Sequence, residues 1–218
     1  SMKTSLAGAM EIIGHEGIVL SPYRDSKGIM TIGVGHTAAA GAPNPSQFVG
    51  RMTVKQAIDL FRTDLAKFER RVNAAFKVPL RQHEFDAAVS FDFNTGGIDR
   101  ATWVKSFNAG KRDLAIDQIM NWCKPPEIAG RRKREQSLFR SGLYTGGGFA
   151  TLYPATTGGQ VERNKGQRID LAMAYGGLSD KSITPPGAGA DPAPQKPGAV
   201  ADQAPPGTAE KSAPAPVP

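Results

Sequence analysis

Residues 15–37 read HEGIVLSPYRDSKGIMTIGVGHT. A Glu16-Gly17 pair opens the stretch, Asp25 follows nine positions after Glu16, Thr31 comes six after Asp25, and a Gly33-Val34-Gly35-His36-Thr37 run closes it. Glu16 and Asp25 are too far apart to share a turn of helix, so they face each other only if the intervening chain folds back. Turn chemistry at Asp25-Ser26-Lys27-Gly28 and β-branched residues at Ile29, Thr31 and Ile32 predict that fold-back as a small antiparallel sheet. Two carboxylates held across a cleft, one giving a proton and one taking one, are the minimum for cutting a glycosidic bond.

Upstream, Leu6, Met10 and Ile13 recur at helical spacing and predict a short helix over 4–14. Gly14 and Gly17 bracket Glu16, which puts the carboxylate at the helix C-terminus, where the dipole disfavours the anion and raises its pKa. Downstream, 38–50 is a loop rich in glycine and proline. Thr53 and Gln56 then form a capping box ahead of Val54, Ile58, Phe61, Leu65, Phe68, Val72 and Phe76. A helix of about 24 residues there runs about 36 Å, long enough to join two lobes. Shorter helices are expected at 82–93, 102–108, 112–122 and 131–142. The fold class is therefore α+β, with a small sheet lobe, a helical lobe and a long helix between them.

The chain divides into a domain over 1–150, an extension over 151–178 and a tail over 179–218. Past Tyr144, Phe149, Leu152 and Tyr153 are placed to pack back on the domain, and 160–175 is expected to be one more helix. The tail lacks aromatic residues and holds ten of the seventeen prolines, a composition that predicts disorder. Its four acids and three lysines give it −1 of the net charge of +7, so +8 belongs to the rest of the chain. That surplus suits an anionic partner: nucleic acid, a membrane surface or a wall polymer. Cys123 is the only cysteine, which excludes a disulfide framework and a thiolate metal site. No run of about 18 apolar residues is present, and the N-terminal apolar stretch is too short for a secretory leader.

Taken together, these residues resemble the bacteriophage-type lysozymes, or muramidases, over roughly residues 8–143. The Glu16, Asp25, Thr31 spacing is similar to that family's triad. Tyr23, Gly28, Thr31-Ile32-Gly33 and Gly35-His36-Thr37 match around it. Ser90-Phe91 and Phe93-Asn94-Thr95-Gly96 look like the family's mid-chain turn. Trp122 with Gly130-Arg131-Arg132-Lys133, Glu135 and Leu138-Phe139 looks like its C-terminal arginine helix. The resemblance implies a two-lobed fold with a cleft, and hydrolysis of the β-1,4 bond between N-acetylmuramic acid and N-acetylglucosamine with inversion. It implies Glu16 as general acid, Asp25 as the group that orients or deprotonates water, and Thr31 as its holder. Arg131 would pair with Glu16, chiefly orienting it, Phe93 would line the sugar-binding wall, and Tyr23 and His36 would support the site. No cofactor or metal is expected. The expected partner is peptidoglycan, met by a monomer without nucleic acid or stable membrane insertion, after cytoplasmic synthesis and release through a holin pore.

Blander readings exist for the same residues. His36 reads as a hydrogen-bonded structural histidine under the sheet and His15 as exposed and idle. Asp25 alone is a turn former. Gly33-x-Gly35 lacks the third glycine and the following helix of a nucleotide site. Arg131-Arg132-Lys133-Arg134 reads as a solvated face with one inward arginine rather than a nucleic-acid patch. Two other functions stay open on sequence: a catalytically impaired, lysozyme-fold scaffold that binds peptidoglycan and uses the proline-rich tail as a tether, and a basic membrane-active protein.

Overall fold

The computed structural model describes residues 1–174; the expected disordered tail and the last residues of the extension lie outside them. Helix α1 (Leu6–Glu16) starts where Ser5 Oγ accepts the Gly8 amide at 3.0 Å and ends at Gly17. Every residue of α1 is buried, so it is a central helix rather than the one-faced helix that its apolar spacing suggests. The chain then folds back as expected. Strands β1 (Val19–Arg24), β2 (Met30–Gly33) and β3 (His36–Thr37) form an antiparallel sheet in that order. Thr31 lies between Tyr23 on β1 and Thr37 on β3.

Helix α2 (Val54–Ala75) carries the expected capping box, with the Gln56 amide donating to Thr53 Oγ1 and the Thr53 amide to Gln56 Oε1. Its apolar stripe buries Ile58, Phe61, Leu65, Phe68 and Val72. It begins beside the sheet, where the Met52 amide donates to the Leu20 carbonyl at 2.8 Å. It ends at Phe76, whose ring packs on Trp103 and Phe107 in the helical lobe. That lobe contains α3 (Gln82–Thr95), α4 (Thr102–Asn108), α5 (Arg112–Ile119) and α6 (Ala129–Ser141). Edge-to-face contacts link Phe91, Trp103, Trp122, Phe107 and Phe139 at its centre. The Trp122 ring also packs directly on Gly97, where an added Cβ would lie 2.4 Å from it. No helix among the described residues is long and apolar enough to cross a membrane.

The extension departs from expectation. The single helix expected over 160–175 does not form: β5 (Gln167–Asp170) pairs antiparallel with β4 (Phe149–Leu152), and α7 (Leu171–Ala174) takes up the last described residues. Strand pairing wins because Gly166 would weaken a helix interior, and because the hairpin needs a residue without a side chain there. A Cβ on Gly166 would lie 2.8 Å from Thr151 and from the Tyr153 ring. The 150/151 boundary falls inside β4. Ile18 donates to the Thr151 carbonyl and accepts from the Tyr153 amide, both at 2.9 Å, and Arg24 donates its amide to Gly159 at 2.8 Å. The outer edge of β1 is thereby covered, and Val19, Tyr23 and Tyr153 form a small second core. Tyr153→Ala should lower unfolding free energy by about 3 kcal/mol in urea titration, because it removes one of three residues of that core. A loss below about 1 kcal/mol would show that the extension is only draped on the sheet.

Candidate active site

Glu16 is the last residue of α1, where the helix hands over to the sheet, and only 2% of it is exposed. Its carboxylate is met from the far side by Arg131 in the first turn of α6. Arg131 also donates from Nε to Glu135 at 3.1 Å and from Nη2 to the Ser90 carbonyl at 3.1 Å. Ser90 in turn donates its hydroxyl to Glu135. One guanidinium thus ties the end of α1 to α3 and α6, using the planar donor fork that lysine lacks. Burial raises the Glu16 pKa above its usual 4.5; the charge and hydrogen bond of Arg131 pull it down, and the Glu135 charge pushes it up, for a net increase. The acid form of Glu16 is therefore favoured to higher pH than in a free carboxyl.

Asp25 opens the turn between β1 and β2. Its Oδ1 accepts the amides of Lys27 at 2.9 Å and Ile29 at 2.8 Å, an Asx turn that locks the hairpin. Its Oδ2 is buried and has no hydrogen-bond partner. Leaving a buried carboxylate oxygen unpaired costs about 1–3 kcal/mol, so the arrangement demands a reason. The two oxygens divide the work: one builds the turn and the other stays free to accept. Thr31 donates its hydroxyl to the Ile29 carbonyl at 2.9 Å, which leaves the lone pairs of that oxygen for another donor.

Tyr23 is buried on β1 opposite Thr31. Burial, then the charges of Glu16, then of Asp25, push its phenol well above 10, so it stays protonated. The charges of both carboxylates act on this one phenol. The folded chain thus gathers Glu16, Asp25, Thr31, Tyr23 and Arg131.

The remaining expected site residues lie elsewhere. Phe93 is not on a sugar-facing wall: it is 1% exposed and packs on Phe61 and Phe68 of α2. The α3 side chains that hydrogen-bond the α6 arginines include Ser90, on Arg131, and Asn94, on Arg132. His36 is structural, with Nδ1 2.7 Å from Asp64 and Nε2 2.9 Å from the Pro43 carbonyl and 3.1 Å from that of Gly41. It pins the 38–50 loop to α2. His15 is buried rather than exposed, and burial, helped by the charges of Arg131, Arg134 and Arg132, keeps it neutral.

Two arginines turn inward, not one. Arg132 is fully buried, donates from Nε to the Trp122 carbonyl at 2.7 Å, bonds Glu135 and Asn94, and lies over the Phe91 ring. Sequence reading missed Arg132, Ser90 and Glu135 as supports. Their signal was the spacing of Glu135 at three and four residues after the two arginines, which sets all three on one helix face.

Comparison with known proteins bears on the family and the fold. The phage lysozyme family model matches residues 13–139. The endolysin of Salmonella phage P22 is 32% identical over 146 residues, covering 64% of this chain and 99% of the relative. The endolysin of Bacillus phage PZA is 35% identical over 150 residues, covering 65% of this chain and 56% of that protein, so this chain spans just over half of it. Among solved structures, the muramidase domain of SpmX from Asticaccaulis excentricus superposes with a TM-score of 0.56 at 31% identity, covering 64% of this chain and 98% of that domain. With a family match over more than half of its length and the family's α+β lysozyme-like fold, this chain belongs to the phage lysozyme family.

Proposed function

We propose that the protein is a muramidase that hydrolyses the β-1,4 bond between N-acetylmuramic acid and N-acetylglucosamine in peptidoglycan. The observation that carries this reading is the contrast between the two acids. Glu16 is buried with a raised pKa, suited to hold a proton. Asp25 keeps one buried oxygen without a partner, suited to take one.

In this scheme Glu16 gives its proton to the glycosidic oxygen as the bond to the anomeric carbon breaks. Water, held by Thr31 and Asp25 Oδ2, attacks the opposite face of that carbon and passes a proton to Asp25, which gives inversion. Arg131 orients Glu16 and is not consumed. Tyr23 keeps its proton and braces the space between the acids. Release to the wall through a holin-type pore is part of the proposal.

The test is product analysis by mass spectrometry after digestion of purified sacculi. Muropeptides with a reducing-end muramic acid are expected; 1,6-anhydro products would replace hydrolysis by intramolecular transfer and overturn the role given to water.

A further inference from the structure

On the other side of the Asp25 hairpin lies a groove of about 620 Å³ that this mechanism does not use. Neighbouring residues along a strand point to opposite faces. The pair Tyr23 and Thr31 therefore faces one way, and the adjacent pair Arg24 and Met30, which lines the groove, faces the other. The second wall is the loop 45–51 and the third is the turn 155–159 of the extension.

All three walls are held in place. Arg24 donates from Nη1 to the Gly28 carbonyl at 3.1 Å. The 45–51 loop is anchored at its end by the Met52 amide on Leu20. The extension turn is closed by Thr156 and Gln160, whose backbones bond at 2.8 Å, and Gly159 accepts the Arg24 amide. A cavity of this size with fixed walls suits a small polar ligand rather than a fluctuating surface contact.

The lining is selective. It includes Arg24 and Arg51, the hydroxyls of Thr156 and Thr157, and an apolar platform of Phe48 and Val49, with no acidic residue. Val49 is 93% exposed, a large apolar side chain that the fold does not use. Cations beside hydroxyls and an apolar shelf fit a short peptide that carries free carboxylates.

We infer that this groove binds the carboxylate-bearing peptide stem of peptidoglycan, with Arg24 and Arg51 taking carboxylates and Phe48 and Val49 taking the aliphatic side chains. The inference rests on the peptidoglycan reading. A cross-linked mesh presents peptide on one side of the hairpin while a sugar strand lies on the other, so both faces engage one substrate.

The experiment titrates the full-length, isotope-labelled protein with a soluble L-alanyl-γ-D-glutamyl stem peptide and follows the amide resonances. Saturable shifts are expected at 49–51 and 156–159. Arg51→Glu and Thr157→Trp, both at exposed positions, should each weaken binding at least five-fold while the rest of the spectrum stays folded. In parallel, the preference for intact over amidase-stripped glycan should fall at least five-fold in Arg51→Glu. Absence of shifts at these amides, equal binding of a peptide whose carboxylates are amidated, or equal shifts from inorganic phosphate would each overturn the inference. If the wild-type protein cleaves no glycan, the muramidase reading falls, while peptide binding to the groove is still decided by the titration.

Discussion

Glu16→Gln is expected to lower the rate of muropeptide release by about 10³-fold, the scale of losing a positioned general acid. The substitution keeps the shape of the side chain and a carbonyl oxygen that accepts from Arg131, so far-ultraviolet circular dichroism should be unchanged. What disappears is the proton for the leaving oxygen. Turbidity clearing of chloroform-treated Gram-negative cells reads the effect, and full clearing by the variant would end the assignment of Glu16. Clearing without muropeptide release would instead identify membrane killing.

The wild-type pH profile gives a second readout of the same group. Because burial raises the Glu16 pKa above 4.5, activity should fall on the alkaline side as pH rises through that raised value. The same shift lowers stability as pH rises from the ordinary carboxyl range, since the native state holds this proton more tightly than the unfolded chain.

Asp64→Asn is expected to cost about 3 kcal/mol of stability near pH 6, because removing one member of a buried ion pair leaves the other uncompensated. Both side chains are almost fully buried, with Nδ1 of His36 2.7 Å from Oδ2 of Asp64. The far nitrogen of His36 faces two carbonyls, so only the doubly protonated ring donates on both sides. Burial lowers the His36 pKa, but the hydrogen bond and charge of Asp64, with smaller help from those carbonyls, raise it above 6.5 overall. Burial keeps the Asp64 pKa above 3.8 despite His36.

The sign follows from linkage. A histidine with a raised folded pKa contributes its full stability below about 6.5 and loses it as pH rises through the folded value. The gap between wild type and Asp64→Asn should therefore be widest near pH 6 and narrow toward pH 9, in urea titrations across that range. A gap that does not change with pH would mean that His36 is neutral in the fold. The 38–50 loop, which His36 clamps, should be the first region to gain protease sensitivity in the variant.

Local signals were legible in proportion to how far they depend on neighbours in sequence. The Thr53-Gln56 capping box, the α2 stripe and the Asp25 turn are set by contacts within a few residues, and each formed where expected. So did the handover from α1 to the sheet that leaves Glu16 at a helix end. Phe93 was misplaced because a motif position says which helix a residue occupies and not which face α2 will cover. Arg132 was misplaced because an arginine run reads as solvated unless Glu135, Asn94 and the Trp122 carbonyl are already known to await it.

The extension shows the same limit most plainly. A helix was expected over 160–175, yet Gln167–Asp170 became a strand because β4 offered an edge and Gly166 let the two segments meet. By itself the sequence determined the order of elements from α1 to α6 and the turn that brings Asp25 back, because caps, turns and periodicity act over short range. Only the tertiary structure decided that Glu16 is buried with Arg131 and Glu135 around it, that one oxygen of Asp25 is left over, and that the extension seals β1. Those outcomes depend on desolvation and on partners 115 residues away or farther, quantities that no local pattern contains.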